Sequence, residues 1–122
     1  MDYSPEDYNK VMETNLESCY QLCRQVYPFL KKADGSSSIV NVGSVAGGIG
    51  ISIKSGVVYA MTKAAMNQLT FNLACEWATD GIRVNCIAPW YIGTPLALQV
   101  LQDPDYLKSV LDRTPMKRIG KG

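Results

Sequence analysis

The sequence predicts an α/β fold, part of a parallel sheet with two strands and long helices, and three observations carry that reading. Met12, Leu16, Cys19, Cys23, Val26 and Leu30 recur at alternating spacings of four and three, one apolar stripe along a helix over residues 4–30. Ser38-Ile39-Val40-Asn41-Val42 is a short β-branched run, read as a buried strand. A second helical segment over residues 57–78 leads into a second strand over 82–88. Strand, long helix, strand is a βαβ unit, which implies parallel pairing and a right-handed crossover.

Each element has local signals. Ser4-Pro5-Glu6-Asp7 reads as a helix start, with a serine cap, proline at the first helical position and acids in the first turn. Pro28 is expected to end or kink that helix near its last turn. Asp34-Gly35-Ser36-Ser37 is a loop. Residues 43–56 hold Gly43, Gly47, Gly48, Gly50 and Gly56 and form a flexible connection. In the second helix Met66, Leu69, Leu73 and Trp77 share one side, and Asp80-Gly81 stops it with a left-handed cap. Pro89 ends the second strand, residues 95–113 hold one or two short helices interrupted at Asp103-Pro104, and 114–122 is loop. Two parallel strands alone cannot close a sheet, so residues 1–122 read as a single partial domain.

Composition excludes several classes of function. A chain with 47% hydrophobic and 19% charged residues belongs with folded globular proteins. Its formal net charge of +1 offers no surplus for nucleic acid or anionic membrane, and no apolar run is long enough to span a bilayer. The polar, acidic opening is unlike a secretory signal, so the expected address is cytoplasmic. Cys19, Cys23, Cys75 and Cys86 form no C-x-x-C pair and are expected to be buried thiols in apolar surroundings. There is no histidine. A hydrolase built on Ser44 therefore lacks its base, no metal site is expected, and acid–base chemistry falls to Tyr, Lys, Asp or Glu.

Tyr59-Ala60-Met61-Thr62-Lys63 answers that need. Residues four apart share a helix face, so a phenol and an ammonium can address one ligand. An unaided phenol keeps its proton to about pH 10. A positive charge alongside favours the phenolate, which lets such a pair move protons near neutrality. Tyr27-Pro28-Phe29-Leu30-Lys31 repeats the spacing, but at a helix end with proline inside it, and is assigned to packing and surface charge. Context favours Tyr59. Ser44 lies where the first strand ends, and Arg83-Val84-Asn85-Cys86-Ile87-Ala88-Pro89 ends its parallel neighbour at the same rim, followed by Ile92-Gly93-Thr94-Pro95. Ligands of open α/β sheets bind beyond those carboxyl ends. Asn15 stands on the first helix between Met12 and Cys19.

Asn15, Ser44, Tyr59 and Lys63 together resemble the Asn-Ser-Tyr-Lys tetrad of the short-chain dehydrogenases/reductases, in the family's order along the whole chain. The run Asn72-Leu73-Ala74-Cys75-Glu76-Trp77-Ala78 and the later Thr114-Pro115-Met116 are most similar to the plant tropinone-reductase-like branch. The resemblance implies a partial doubly wound, Rossmann-like domain and an NADP(H)-dependent oxidoreductase acting on a small hydrophobic ketone or alcohol, with NAD as the other possible cofactor. It implies that Tyr59 exchanges the proton with the substrate oxygen, while Lys63 favours its phenolate and hydrogen-bonds the nicotinamide ribose. Ser44 holds and polarises the substrate oxygen, and Asn15 anchors a water linking Lys63 to solvent. Pro89, Ile92 and Thr94 meet the nicotinamide, and Tyr91, Leu96 and Val100 line the substrate pocket.

The sequence also departs from the family. The Gly-rich phosphate loop, T-G-x-x-x-G-x-G, does not occur, so this polypeptide is expected to bind NADP(H) weakly or not at all. Trp90 stands where the family usually has glycine, and is expected to strain a glycine-type backbone or crowd the nicotinamide. Ser44 and Tyr59 are separated by about two more residues than usual, within a loop that tolerates insertion. An alternative function is a catalytically silent form that associates with itself or a longer relative, because in the family the helices matching 4–30 and 57–78 pack against a second subunit.

Overall fold

The computed structural model describes residues 3–33, 37–48, 51–53 and 56–122. The expected loop at Asp34-Gly35-Ser36 and the glycine at 50 lie outside the described residues. Two compact units emerge, Met1–Ala88 and Pro89–Gly122.

The first unit opens with α1 (Pro5–Met12), a π turn (Glu13–Glu17) and α2 (Ser18–Lys31). Ser4 caps α1 as expected, its hydroxyl accepting the Asp7 amide at 3.0 Å. The expected single helix is interrupted by the π turn, where the Ser18 amide reaches back to the Glu13 carbonyl. The neighbouring Thr14 carbonyl accepts the Ser18 hydroxyl at 2.6 Å. Pro28 does not end α2, which runs on to Lys31. A proline this close to the end removes one amide from the ladder and leaves the rest of the last turn intact.

β1 (Ser37–Val42) and β2 (Ile82–Ile87) pair in parallel, with Ile39 opposite Val84 and Val42 opposite Ile87. α3 (Val57–Glu76) connects them, ending in a 3-10 turn (Ala78–Asp80) and at Gly81, whose φ of 72° is the left-handed stop that the sequence predicts. Cys23 from α2, Leu73 from α3, and Ile82 and Val84 from β2 form the buried core, with Ile39, Leu69 and Trp77 packed against it. Both helices thus cover one face of the sheet. The opposite face stays bare: Val40, Val42 and Ile87 are each more than half exposed, so β1 is buried on one side only. Strand alternation makes this unavoidable once the helices share a side.

One polar node sits inside the packing. Asn41 is buried, its Nδ2 donating to Thr70 Oγ1 at 2.9 Å, while Thr70 donates to the Met66 carbonyl at 2.8 Å and Cys19 Sγ approaches Asn41 Oδ1 at 3.4 Å. Every member has a partner, so the node links α2, β1 and α3 without an orphaned group.

The cysteines differ from expectation. All four are free; Cys23 is buried, Cys19 and Cys86 are half-buried and Cys75 is exposed on α3. Its helix position turns it away from the Met66–Leu73 side, so it is not a core thiol. Burial, reinforced by Cys19, pushes the Cys23 thiol up to about 11, and burial also raises that of Cys19.

The second unit holds α4 (Pro95–Val100) and α5 (Pro104–Asp112), the two short helices expected, separated at Asp103. Asp103 Oδ1 accepts the Asp105 and Tyr106 amides at 3.0 and 3.2 Å, capping α5. Residues 114–122 are loop apart from a bridge that sets Ile92 beside Gly120.

The second Tyr-x-x-x-Lys copy is a strut. The Tyr27 hydroxyl donates to Asp80 Oδ2 at 2.7 Å, its ring lies 4.7 Å from that of Trp77, and Lys31 Nζ stands 2.8 Å from Asp80 Oδ1. This ties the end of α2 to the turn after α3. The Lys31 ammonium, and next the Tyr27 hydroxyl, hold the Asp80 carboxyl below the usual carboxylate range. A depressed carboxylate stabilises the fold above its unfolded value, near pH ~3.9, and loses that contribution as pH falls through the lower folded value. Thermal melts from neutral pH down to strong acid are expected to fall more steeply below about pH 4 for the wild type than for Asp80→Asn. Parallel profiles would contradict the strut.

Candidate active site

The first unit brings Lys63, Tyr59, Asn15 and the loop of Ser44 to the carboxyl end of β1. Tyr59 and Lys63 lie on the opening turns of α3, both half-buried, with the ammonium 5.6 Å from the Tyr59 ring centre. The same ammonium donates to the Val42 carbonyl at 2.9 Å. Its position relative to the sheet follows from strand geometry. The Gly43 amide donates to the Ile87 carbonyl at 2.8 Å, so Gly43 faces β2 and its neighbour Val42 faces the free edge. Lys63 therefore reaches from α3 to the open side of β1 at its last residue. An ammonium has three donors, and this bond uses one.

The two Tyr-x-x-x-Lys copies share a local geometry, since Lys31 Nζ also stands 5.6 Å from its tyrosine ring. What differs is the hydroxyl. That of Tyr27 is committed to Asp80, whereas among the described residues that of Tyr59 makes no hydrogen bond. Only the second phenol is left for a ligand.

Asn15 sits half-buried in the π turn. It lines, with Ser18, Cys19, Asn41, Val42 and Lys63, a cavity of about 380 Å³. Extra helical turns of this kind recur at functional sites, where they move one side chain out of the regular helix register. A second cavity of about 380 Å³ is lined by Ala46, Gly48, Ile51, Ile53, Val57 and Met61.

Ser44 follows β1 and caps a 3-10 turn (Val45–Gly47), its Oγ accepting the Ala46 amide at 3.1 Å. The hydroxyl hydrogen is not used by that bond and is available to donate. The turn lies directly on α3. A Cβ on Gly47 would stand 2.5 Å from the Lys63 carbonyl carbon, so only a glycine permits the approach.

Pro89, Tyr91, Ile92, Thr94 and Leu96 belong to the second unit. The Tyr91 and Tyr106 hydroxyls are 2.7 Å apart, Thr94 Oγ1 caps α4 by accepting the Ala97 amide at 3.3 Å, and Leu96 is exposed. Trp90 does not strain the chain: among the described residues the one non-glycine with positive φ is Lys117. The indole is held instead, its Nε1 donating to Thr114 Oγ1 at 3.1 Å with the Arg113 guanidinium 5.8 Å from the ring centre. Among the described residues no cluster of carboxylates and thiols is disposed to hold a metal, and no helix is long and apolar enough to cross a membrane.

The family model described as enoyl-(acyl carrier protein) reductase matches residues 1–122. A tropinone reductase homolog of Arabidopsis thaliana, At5g06060, is 50% identical over 121 residues, which is 99% of this chain and 45% of the relative. The chain belongs to the short-chain dehydrogenase/reductase family. Its place in the tropinone-reductase-like branch is supported further by a tropinone reductase homolog of Datura stramonium, 46% identical over 98% of this chain and 45% of the relative. The structure of a gluconate 5-dehydrogenase from Burkholderia cenocepacia in complex with NADP and tartrate superposes with a TM-score of 0.90 at 29% identity, covering 98% of this chain and 46% of that one. The chain spans about half the length of the curated relatives it matches.

Two site features escape a reading of the sequence alone. Asn41 occupies an inward position of β1, and a polar residue at such a position is itself a sign of a buried node. Asn67 follows Lys63 by one helical turn and donates to the Gly47 carbonyl at 3.2 Å; its spacing from Tyr59 and Lys63 was the available signal.

Proposed function

We propose that the chain carries the catalytic portion of an NADP(H)-dependent oxidoreductase that interconverts a small hydrophobic ketone and a secondary alcohol. The observation that carries the reading is the Lys63 ammonium, set between the Tyr59 ring and the carboxyl end of β1. The residues fit the nicotinamide-ribose end of such a cofactor, because Lys63 keeps two donors for the ribose hydroxyls. When bound, NADPH would supply the hydride for reduction and NADP+ would take it up in oxidation. Tyr59 gives its hydroxyl proton to the carbonyl oxygen during reduction and takes it back during oxidation. Ser44 donates its free hydroxyl hydrogen to the same oxygen. The Lys63 ammonium stands 5.6 Å from the centre of the Tyr59 ring, and Asn15, which lines a cavity with Lys63, holds a water through which the proton is restored from solvent.

In this reading Pro89, Ile92 and Thr94 meet the nicotinamide, Thr94 with the hydroxyl hydrogen that its capping bond leaves unused. Tyr91 and Leu96 line the substrate side. NADP rather than NAD is favoured by the NADP complex of the Burkholderia structure. Without a T-G-x-x-x-G-x-G run the chain by itself holds the dinucleotide weakly, so assays require NADPH in large excess. NADPH oxidation across a panel of small ketones is expected to find turnover that Tyr59→Phe lowers roughly 10²–10⁴-fold. A Tyr59→Phe variant that keeps wild-type turnover would overturn the assignment.

A second reading, association with a further copy through residues 4–30 and 57–78, is favoured by the exposed apolar side chains there. Val57, Met61 and Phe71 are 46%, 49% and 65% exposed on α3, and Leu22 and Phe29 are 62% and 72% exposed on α2. Light scattering is expected to show a dimer that Phe71→Glu converts to monomer. A wild-type monomer at high protein concentration would rule this out.

A further inference from the structure

We infer that Asn67 is a positioning residue that fixes the Ser44 turn against α3, the helix that carries Tyr59 and Lys63; the inference rests on the catalytic reading of those three. Asn67 lies on α3 one turn beyond Lys63 and two beyond Tyr59, on the same face. Its amide bonds the chain after Ser44 and lies near Gly43 before it. Nδ2 donates to the Gly47 carbonyl at 3.2 Å, and Oδ1 lies 3.4 Å from where a Cβ of Gly43 would stand. The same oxygen accepts Cys86 Sγ at 3.5 Å, which adds a link to β2. The orientation of the amide is set by chemistry, since the Gly47 carbonyl can only accept and must face the NH2 group.

Among the described residues, the other bonds of this turn are internal to it. Gly47 and Gly48 amides donate to the Ser44 and Val45 carbonyls at 3.0 and 2.9 Å, and the Ala46 amide donates to Ser44 Oγ. Those bonds give the turn its shape and say nothing of where it sits. The missing side chain at Gly47 permits contact with the Lys63 backbone but does not direct it. Asn67 supplies the directional bond from α3, and so sets the distance from the Ser44 hydroxyl to the groups on that helix.

The test is backbone amide exchange by NMR on Asn67→Asp, which keeps the side chain's size but cannot donate to Gly47, and on Asn67→Ala. Exchange at Gly47 and Gly48 is expected to rise about fivefold or more, with amides between Thr70 and Leu73 unchanged within about twofold. The Ala46 amide proton is expected to move upfield as its bond to Ser44 Oγ loosens. A uniform rise through α3 would reduce Asn67 to a general stabiliser, and an unchanged turn in either variant would overturn the inference. If Asn67→Asp unfolds, the alanine variant decides by the same two readouts. Exchange reads the turn whether or not a ketone is reduced, whereas Tyr59→Phe turnover reads the catalytic assignment, so the two fail separately.

Discussion

The site depends on one bond, the donation from the Lys63 ammonium to the Val42 carbonyl. It joins α3 to the last residue of β1 and decides where the positive charge stands. A lysine has four flexible methylene groups, and left free it would spread its charge through solvent. Tethered at the strand end, the charge stays beside the Tyr59 ring and on the cavity that Asn15 shares. The tether is possible because Val42 faces the open edge of the sheet while Gly43 turns back to Ile87.

The remaining features of the first unit support that placement from different sides. Gly47 lets the Ser44 turn lie against the Lys63 backbone, and Asn67 directs it there. Below, the Asn41–Thr70 node fixes α3 to β1 with every polar group satisfied. At the far end, Tyr27, Lys31 and Asp80 clamp α2 to the turn after α3. Two copies of one motif thus divide the labour. The copy whose hydroxyl is bonded to a carboxylate holds the fold, and the copy whose hydroxyl is left open is suited to chemistry.

Much of this was legible in the residues. Periodicity placed both long helices, β-branching placed both strands, and Ser4, Asp103 and Gly81 marked boundaries where the backbone needs a cap or a left-handed residue. With no histidine in the chain, Tyr59 and Lys63 stood out as acid–base candidates. What stayed hidden depends on three-dimensional neighbours. The apolar stripe keeps its spacings of four and three straight through the π turn, so spacing alone cannot reveal it. Cys75 has apolar neighbours in sequence and faces solvent on the helix. Trp90, expected to strain a glycine position, occupies ordinary backbone and is secured by Thr114. The one-sided burial of β1 follows from both helices choosing the same face, which a β-branched run does not encode.

Family membership rests on the match over the whole chain, and the proposed chemistry rests on the pairing of phenol and ammonium. The most direct measurement of that pairing is NMR of the Lys63 side chain. Nuclear Overhauser contacts from its Hε protons to the Tyr59 ring, with a hydrogen-bond coupling from Nζ to the Val42 carbonyl carbon, are expected. An Nζ resonance averaged as in a free lysine, with no contact to ring or strand, would contradict the account.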